Sequence, residues 1–127
     1  MSIAENVAEI RRQMEVAALA AGRDPKGILL CAATKMNDAD AVRQAIAAGV
    51  DCCGENRVQE AADKIGKAGF KISWELIGHL QSNKAGLAVR LFDRIQSVDS
   101  KKLLEKIDFH ARGLGKIQRV LLQINAG

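Results

Sequence analysis

The feature of this sequence that most constrains its fold is a regular alternation of short apolar runs with amphipathic helical segments. After an N-terminal helix, the pattern reads strand then helix four times and closes on a fifth strand. The predicted strands lie near residues 28–34, 50–53, 72–77, 94–98 and 119–124. Such alternation is typical of right-handed βαβ units that build a parallel sheet. We therefore predict an α/β fold, with residues 1–127 forming a single domain.

The segments between the strands carry the start and stop signals of helices. Ser2 and Glu5 have the spacing of a capping box, and Gly22 ends the first helix. On this helix, apolar residues from Ile3 to Ala17, including Ile10, are predicted to share one face. Further helices are predicted from about Asp38 to Gly49, from Glu55 to about Lys67, after Ser82, and from Lys101 to Ala111.

Two architectures fit this order of elements: an open doubly wound sheet, or part of a (β/α)8 barrel. Periodicity alone does not choose between them. The first strand-helix turn lacks the glycine-rich dinucleotide fingerprint, and the chain has no phosphate-binding P-loop. Both absences weaken the nucleotide-binding version of the open sheet.

Composition excludes several classes of protein. No apolar run is long enough to span a membrane, and the N-terminus has no signal-peptide core. The net charge is +4, but there is no basic stripe, and one Trp and no Tyr offer little base stacking, so nucleic-acid binding is not expected. The cysteines Cys31, Cys52 and Cys53 lack zinc or redox spacing and suit reduced, buried residues of a cytoplasmic protein.

Polar side chains follow each predicted strand, where parallel α/β folds gather their chemistry. Lys35 follows the first strand, and Gly54-Glu55-Asn56-Arg57 the second. Residues 78–84, which include His79 and Lys84, follow the third strand. A lysine in a partly desolvated pocket attacks aldehydes. Asn56 and His79 suit a ligand's oxygens, and Arg57 and Lys84 suit an anion.

Each of these residues also has a plain structural interpretation. Lys35 follows an apolar run that predicts a strand buried on both faces. At the end of such a strand, its side chain can simply reach water. Backbone partners in a loop explain His79 equally well. Helix N-capping explains Asn56 and Ser82. A salt bridge with Glu60 or Asp51 explains Arg57.

Three segments resemble the pyridoxal phosphate (PLP) homeostasis protein family, which is related to the N-terminal barrel of alanine racemase. They are AATK at 32–35, GENRVQE at 54–60 and IGHLQSNK at 77–84, supported by IQSVDS at 95–100. The resemblance covers essentially the whole chain. It implies a (β/α)8 barrel and a cytoplasmic protein concerned with PLP supply and with amino acids or keto acids. It implies that Lys35 holds PLP as a Schiff base, beside Asn56 and His79, without robust catalysis.

The chain also departs from the family pattern. Cys52-Cys53 stands where an aromatic residue is common, Glu75 where histidine is common, and Met36-Asn37 lacks the usual proline. A full barrel takes roughly 250 residues, so the barrel is expected to stop after its fifth strand, before the late loops that usually clamp the cofactor phosphate. PLP held by these residues alone is therefore expected to be bound weakly.

Two further expectations follow if the protein is 127 residues long. The first and fifth strands would be unprotected apolar edges, which predicts a homo-oligomer or a partner that covers them. The alternative to a PLP-binding protein is a non-catalytic scaffold domain that no longer binds PLP stably and depends on self-association or a partner.

Overall fold

A computed structural model of the chain describes residues 2–69 and 71–126 and contains an alternating series of helices and parallel strands. The elements in order are α1 (Ile3–Ala20), a 3-10 turn (Pro25–Gly27), β1 (Cys31–Ala33), α2 (Ala39–Ala48), β2 (Cys52–Glu55), α3 (Val58–Ala68), β3 (Ser73–Leu76), a 3-10 turn (Ser82–Lys84), α4 (Ala85–Leu91), β4 (Arg94–Val98), α5 (Lys101–Gly113) and β5 (Arg119–Leu122). The predicted order of strands and helices is confirmed. None of the helices in these described ranges has the length and apolarity needed to cross a membrane.

The strands form one parallel sheet in the order β1-β2-β3-β4-β5. Each strand therefore pairs with the strand that precedes it along the chain. A doubly wound sheet would reverse its strand order at a switch point, whereas a (β/α)8 barrel adds strands in sequence. The strand order therefore selects the barrel type of architecture, and the predicted α/β barrel fold is confirmed.

Side-chain caps begin three of the helices, as local sequence signals indicate. The hydroxyl of Ser2 accepts a hydrogen bond from the Glu5 amide at 3.1 Å, so half of the predicted capping box forms. Asp38 caps α2 and Ser100 caps α5 in the same way. Gly49 ends α2 with φ of 101°, a left-handed conformation that glycine adopts without steric cost.

The main hydrophobic core lies between the helices and one face of the sheet, here called the helix-facing side. Cys53, Trp74, Leu76 and Ile95 are fully buried there, against apolar residues of all five helices. Trp74 satisfies its indole by donating a hydrogen bond from Nε1 to the Gly69 carbonyl at 3.1 Å. Small and branched residues thus fill most of a core in which aromatic side chains are rare.

The opposite face of the sheet, here called the inner face, is less completely covered. A Cβ added to Gly54 would lie 3.1 Å from the sulfur of Cys31 and 3.0 Å from Cδ1 of Ile77, so Cys31 and Ile77 mark this face. On the same face, Glu75 of β3 accepts a hydrogen bond from Gln96 of β4 at 2.6 Å. Strand alternation therefore separates a closely packed helix-facing side from a less covered inner face.

Some predictions of burial are wrong. The strand predicted at 28–34 narrows to three residues, and it is not buried on both faces, because Leu29 is 59% exposed and Ala33 is also exposed. β1 lies at the edge of the sheet, and the described residues leave its inner face open. Ile10 is 45% exposed, because only part of the apolar stripe of α1 contacts the core.

We expect the polypeptide of residues 1–127, produced by itself, to self-associate at micromolar concentration. Both sheet edges expose apolar side chains, with Leu121 46% and Leu122 63% exposed on β5. Unprotected apolar edges favour pairing with another chain. Placing lysine at both positions, Leu121→Lys with Leu122→Lys, should shift the mass measured by light scattering towards the monomer. The matched control, Val16→Lys with Leu19→Lys on α1, should leave association unchanged. A monomeric unmodified polypeptide would contradict this expectation.

Candidate functional site

The carboxyl ends of β1, β2 and β3 bring the sequence-predicted site residues to one edge of the sheet. Lys35 lies two residues beyond β1, Asn56 directly follows β2, and His79 follows β3. Ala33 pairs with Gly54, so Lys35 and Asn56 stand at the same level of two neighbouring strands. Ala33 and Gly54 lie on the inner face, and Lys35 and Asn56 follow them just beyond the ends of the two strands.

Asn56 and His79 line one cleft of about 290 Å³ at this edge. Arg57, Gln81 and Lys84 also line it, so the cleft combines amide groups, an imidazole and two cationic side chains. Lys35 is not among its lining residues. Its side chain is exposed, and within the described residues it makes no hydrogen bond or ion pair. The structure therefore brings Asn56 and His79 together and leaves Lys35 as an open amine at the same edge.

A second cleft, of about 460 Å³, adjoins the first through His79, Leu80 and Gln81. Nδ1 of His79 lies 3.6 Å from Oδ2 of Asp99, a residue that follows β4. This second cleft also holds the polar residues Ser82, Asn83, Ser100 and Lys102. The polar region therefore extends from the end of β2 to the end of β4.

A close backbone approach joins the two loops that hold Asn56 and His79. A Cβ added to Gly78 would lie 2.5 Å from the Asn56 carbonyl oxygen and 2.8 Å from its Cα. No real Cβ packs this tightly against backbone, so only glycine fits without moving the loop. Gly78 therefore sets how closely Asn56 and His79 approach each other.

The plain structural interpretations of several site residues are wrong. Asn56 does not cap α3, whose N-cap is Arg57 without a side-chain hydrogen bond. Ser82 likewise lies inside the 3-10 turn and is not the N-cap of α4. Among the described residues His79 has the Asp99 carboxylate as its partner and no backbone hydrogen bond. These side chains are thus available to a ligand.

The salt bridge suggested for Arg57 is also absent from the described residues. Asp51 pairs instead with Arg11, at 2.8 Å. Glu60 pairs with Lys64, at 3.1 Å, and the charge of Arg57 acts on Glu60 only through space. Arg57 therefore presents an exposed guanidinium to the first cleft.

The turn that carries Lys35 contains a strained residue. Met36 has φ of 62°, the left-handed region that L residues with a side chain enter at a cost of about 1–2 kcal/mol. The Asn37 amide donates to the Thr34 carbonyl at 3.2 Å, which closes the turn around Lys35. The Met36 side chain is 93% exposed, so packing does not stabilise this conformation.

A buried polar network on the helix-facing side underlies this turn. Nζ of Lys64 lies 2.7 Å from a carboxylate oxygen of Glu55 and also donates to the Thr34 carbonyl. Thr34 donates its own hydroxyl hydrogen to Glu55 at 2.9 Å. Glu55 is fully buried, and Thr34 and Lys64 are nearly so. The network therefore joins α3 to the ends of both β1 and β2.

Glu60 extends the network to the far side of Lys35. Its Oε1 accepts a hydrogen bond from the Met36 amide at 3.1 Å and contacts Lys64 at 3.1 Å. The Met36 hydrogen bond and then Lys64 hold the pKa of Glu60 below its usual range. Burial alone would lower the pKa of Lys64, but its hydrogen bonds to Glu55 and Glu60 outweigh burial and raise it. The lysine therefore stays charged at neutral pH.

Sequence reasoning missed the roles of Thr34, Glu55 and Lys64. One signal was present: Lys64 lies beside the apolar positions Ala61 and Ile65 of α3, four residues after Glu60. A lysine at the margin of an apolar helix face commonly extends its head to water. Only the tertiary structure shows that this one turns inward, towards Glu55.

The cysteines and acidic residues add no metal centre. Burial raises the pKa of the Cys53 thiol to about 11 and also raises the pKa of Cys31 and Cys52, so all three remain protonated at neutral pH. Over residues 2–69 and 71–126, no group of His, Cys, Asp and Glu side chains is suited to holding a metal ion. The amines of Lys35 and Lys84 are both exposed at this edge of the sheet.

The family model for the alanine racemase N-terminal domain matches residues 2–127. The chain belongs to this family. The resemblance to PLP homeostasis proteins predicted from the sequence is confirmed as well. A relative of that name from Pseudomonas aeruginosa is 40% identical over 126 residues, which cover 98% of this chain and 54% of the relative. The Escherichia coli K12 relative of the same name is 37% identical over 129 residues, covering 97% and 54% of the two chains.

Solved structures agree with this assignment. PipY of Synechococcus elongatus, in a structure with PLP bound, superposes with a TM-score of 0.86 and 41% identity. The match covers 99% of this chain and 56% of PipY. A protein from Bifidobacterium adolescentis superposes with the same TM-score and 36% identity, covering 94% and 53% of the two chains. The chain thus spans about half the length of the relatives that it matches.

We expect Lys64→Met to lower the free energy of unfolding by about 3–5 kcal/mol, because it leaves the carboxylate of Glu55 buried without its cation. Glu55→Gln in the same chain should recover much of the loss, since it removes the unpaired charge. Urea unfolding of both variants and the wild type measures this. Equal stability of the single variant and the wild type would show that Glu55 does not need its partner.

We expect Gly78→Ala to lower the free energy of unfolding by about 1–3 kcal/mol, because the added Cβ must displace the Asn56 backbone. Gly66→Ala is the matched control. Gly66 lies in α3 with open space around its Cα, so alanine there should stabilise the helix by about 1 kcal/mol. Thermal unfolding compares the two. Similar effects of the same sign would contradict the close approach at Gly78.

Proposed function

We propose that this chain is the PLP-binding portion of a protein of PLP homeostasis, with Lys35 binding the cofactor aldehyde. The observation that supports the proposal is that Lys35, Asn56 and His79 each follow a strand, at the same edge of the parallel sheet. PipY, which shares this fold at 41% identity, has a structure with PLP bound. The proposal is supported by the chemistry of the side chains at this edge.

The side chains present fit the functional groups of PLP. PLP supplies an aldehyde that condenses with an amine, and a phosphate that carries negative charge. Lys35 offers an exposed amine without a protein partner among the described residues. Asn56 and His79 suit the polar atoms of the ring, and Arg57 and Lys84 place positive charge beside them. The close approach at Gly78 keeps these groups together.

We propose a binding role for this chain and do not propose racemase chemistry. The relatives' names describe homeostasis of the cofactor, which requires binding and release. Amino acids and keto acids are the proposed partners, because an amino acid's amine would compete with the lysine for the cofactor aldehyde and a keto acid's carbonyl would compete with that aldehyde for the lysine. The protonated, free thiols of Cys31, Cys52 and Cys53 suit the reducing cytoplasm, which we propose as the location.

Reductive trapping tests the proposal. Purified protein is mixed with PLP and reduced with borohydride, and the modified lysines are mapped by peptide mass. We expect Lys35 to be labelled about tenfold faster than other exposed lysines, the effect of roughly 1.4 kcal/mol of favourable contacts. Lys35→Ala should abolish the fast phase and the visible absorbance of the bound cofactor.

Lys26→Ala is the matched control, because Lys26 is exposed in the Pro25–Gly27 turn, outside the clefts at the strand ends. It should leave both the labelling of Lys35 and the absorbance unchanged. Even labelling of all exposed lysines would contradict the proposal. A protein that stays colourless with added PLP would favour the scaffold alternative.

A further inference from the structure

The backbone on the two sides of Lys35 is held by two residues of α3. On one side, the Thr34 carbonyl accepts a hydrogen bond from Nζ of Lys64. On the other side, the Met36 amide donates to Oε1 of Glu60, at 3.1 Å. Lys64 and Glu60 also contact each other at 3.1 Å, four residues apart on the helix. The helix thus binds the residue before Lys35 and the residue after it through one connected pair.

We propose that Lys64 and Glu60 are positioning residues for Lys35, which fix the strand-end turn so that its amine is presented on the inner face. This inference rests on the proposed role of Lys35 in binding PLP. Neither residue lines the cleft of Asn56 and His79. Their action is therefore through the backbone of the Lys35 turn and not through contact with a ligand.

The strained conformation of Met36 shows why the turn needs such support. A residue with positive φ persists only where its surroundings hold it. The Met36 side chain is exposed, so hydrogen bonds hold the turn: the Met36 amide donates to Glu60, the backbone amide of Asn37 donates to the Thr34 carbonyl, and Nδ2 of Asn37 donates to the Lys35 carbonyl at 3.1 Å. Removing the Glu60 acceptor should allow the turn to sample other conformations.

The direction of the network also matters for Lys35. Thr34 and Glu55 occupy the helix-facing side, where Lys64 joins them. Successive side chains of a strand alternate between faces, and Lys35 and Asn56 directly follow Thr34 and Glu55, just beyond the ends of the two strands. The contacts of Thr34 with Lys64 and Glu55 therefore oppose a rotation of the backbone at the end of β1 that would carry Lys35 towards α3. A backbone held in one conformation limits the positions that the amine can reach, which favours its reaction with a ligand bound at this edge.

Glu60 provides the first test, because it lies in the first turn of α3 at a partly exposed position where alanine is compatible with folding. Glu60→Ala removes the acceptor for the Met36 amide. Glu60→Gln removes the charge but keeps an oxygen acceptor. We expect alanine to speed Met36 amide exchange and to slow PLP labelling of Lys35, relative to exposed Lys106, each by about fivefold. Glu60→Gln should keep both the exchange rate of the Met36 amide and the labelling rate of Lys35 close to those of the wild type.

Two controls separate positioning from loss of stability. Glu105→Ala removes another four-residue ion pair, with Lys101 on α5, and should change neither readout. The second control is Lys116, which donates to the backbone carbonyls of Val89 and Phe92, at 2.6 and 2.8 Å, as Lys64 donates to that of Thr34. Lys116→Met should lower stability without slowing Lys35 labelling. By contrast, the double variant Lys64→Met with Glu55→Gln should slow the labelling of Lys35 by PLP about fivefold.

The outcomes distinguish the two proposals. If wild-type Lys35 is labelled no faster than Lys106, the proposed function is wrong and this inference falls with it. If wild-type labelling is selective but Glu60→Ala and the Lys64 variant leave it unchanged, the positioning role alone is overturned. The positioning role is also overturned if Met36 exchange quickens while Lys35 labelling does not slow. The proposal is supported if Glu60→Ala both speeds Met36 amide exchange and slows Lys35 labelling, and if Glu60→Gln largely reverses both changes.

Discussion

The in-order pairing of parallel strands is the constraint on which the candidate site depends. Because each strand pairs with its predecessor, the loops that follow β1 to β4 emerge at one edge in the order of the sequence. The pairing of Ala33 with Gly54 then sets Lys35 beside Asn56. A shift of one residue in β1 would turn Lys35 towards the helices and Thr34 towards the inner face. Register therefore decides which side chain becomes available for chemistry.

The network beneath that edge shows what holds the register. Burying the charges of Glu55 and Lys64 has a large desolvation cost, and their attraction offsets it only when the remaining donors and acceptors are satisfied. Thr34 meets part of that need, with its hydroxyl on Oε1 of Glu55 and its carbonyl on Lys64, while the buried Oε2 of Glu55 has no hydrogen-bond partner within the described residues. Slipping β1 by one residue would withdraw both contacts. An ion pair that adds little net stability can thus strongly disfavour the wrong alignment.

Local signals predicted the elements well, because caps and periodicity act over a few residues. Ser2 and Asp38 begin helices as their sequence neighbourhoods indicate, and each strand predicted from the sequence overlaps an observed strand. The sequence did not reveal that Lys64 turns inward, since its partner Glu55 comes from another element. It also gave no warning of the positive φ at Met36, because that position carries no glycine. Both features arise from tertiary contacts.

Departures from ordinary preferences converge around Lys35. Met36 adopts a strained backbone, Lys64 and Glu55 bury their charges, and Gly78 lets two loops approach more closely than a side chain would allow. Sequences usually satisfy local and tertiary preferences together, and the exceptions cluster where function requires them. Here the exceptions act on the backbone and leave the Lys35 side chain without a protein partner among the described residues. The fold holds the position of this lysine firmly while its amine stays free to react.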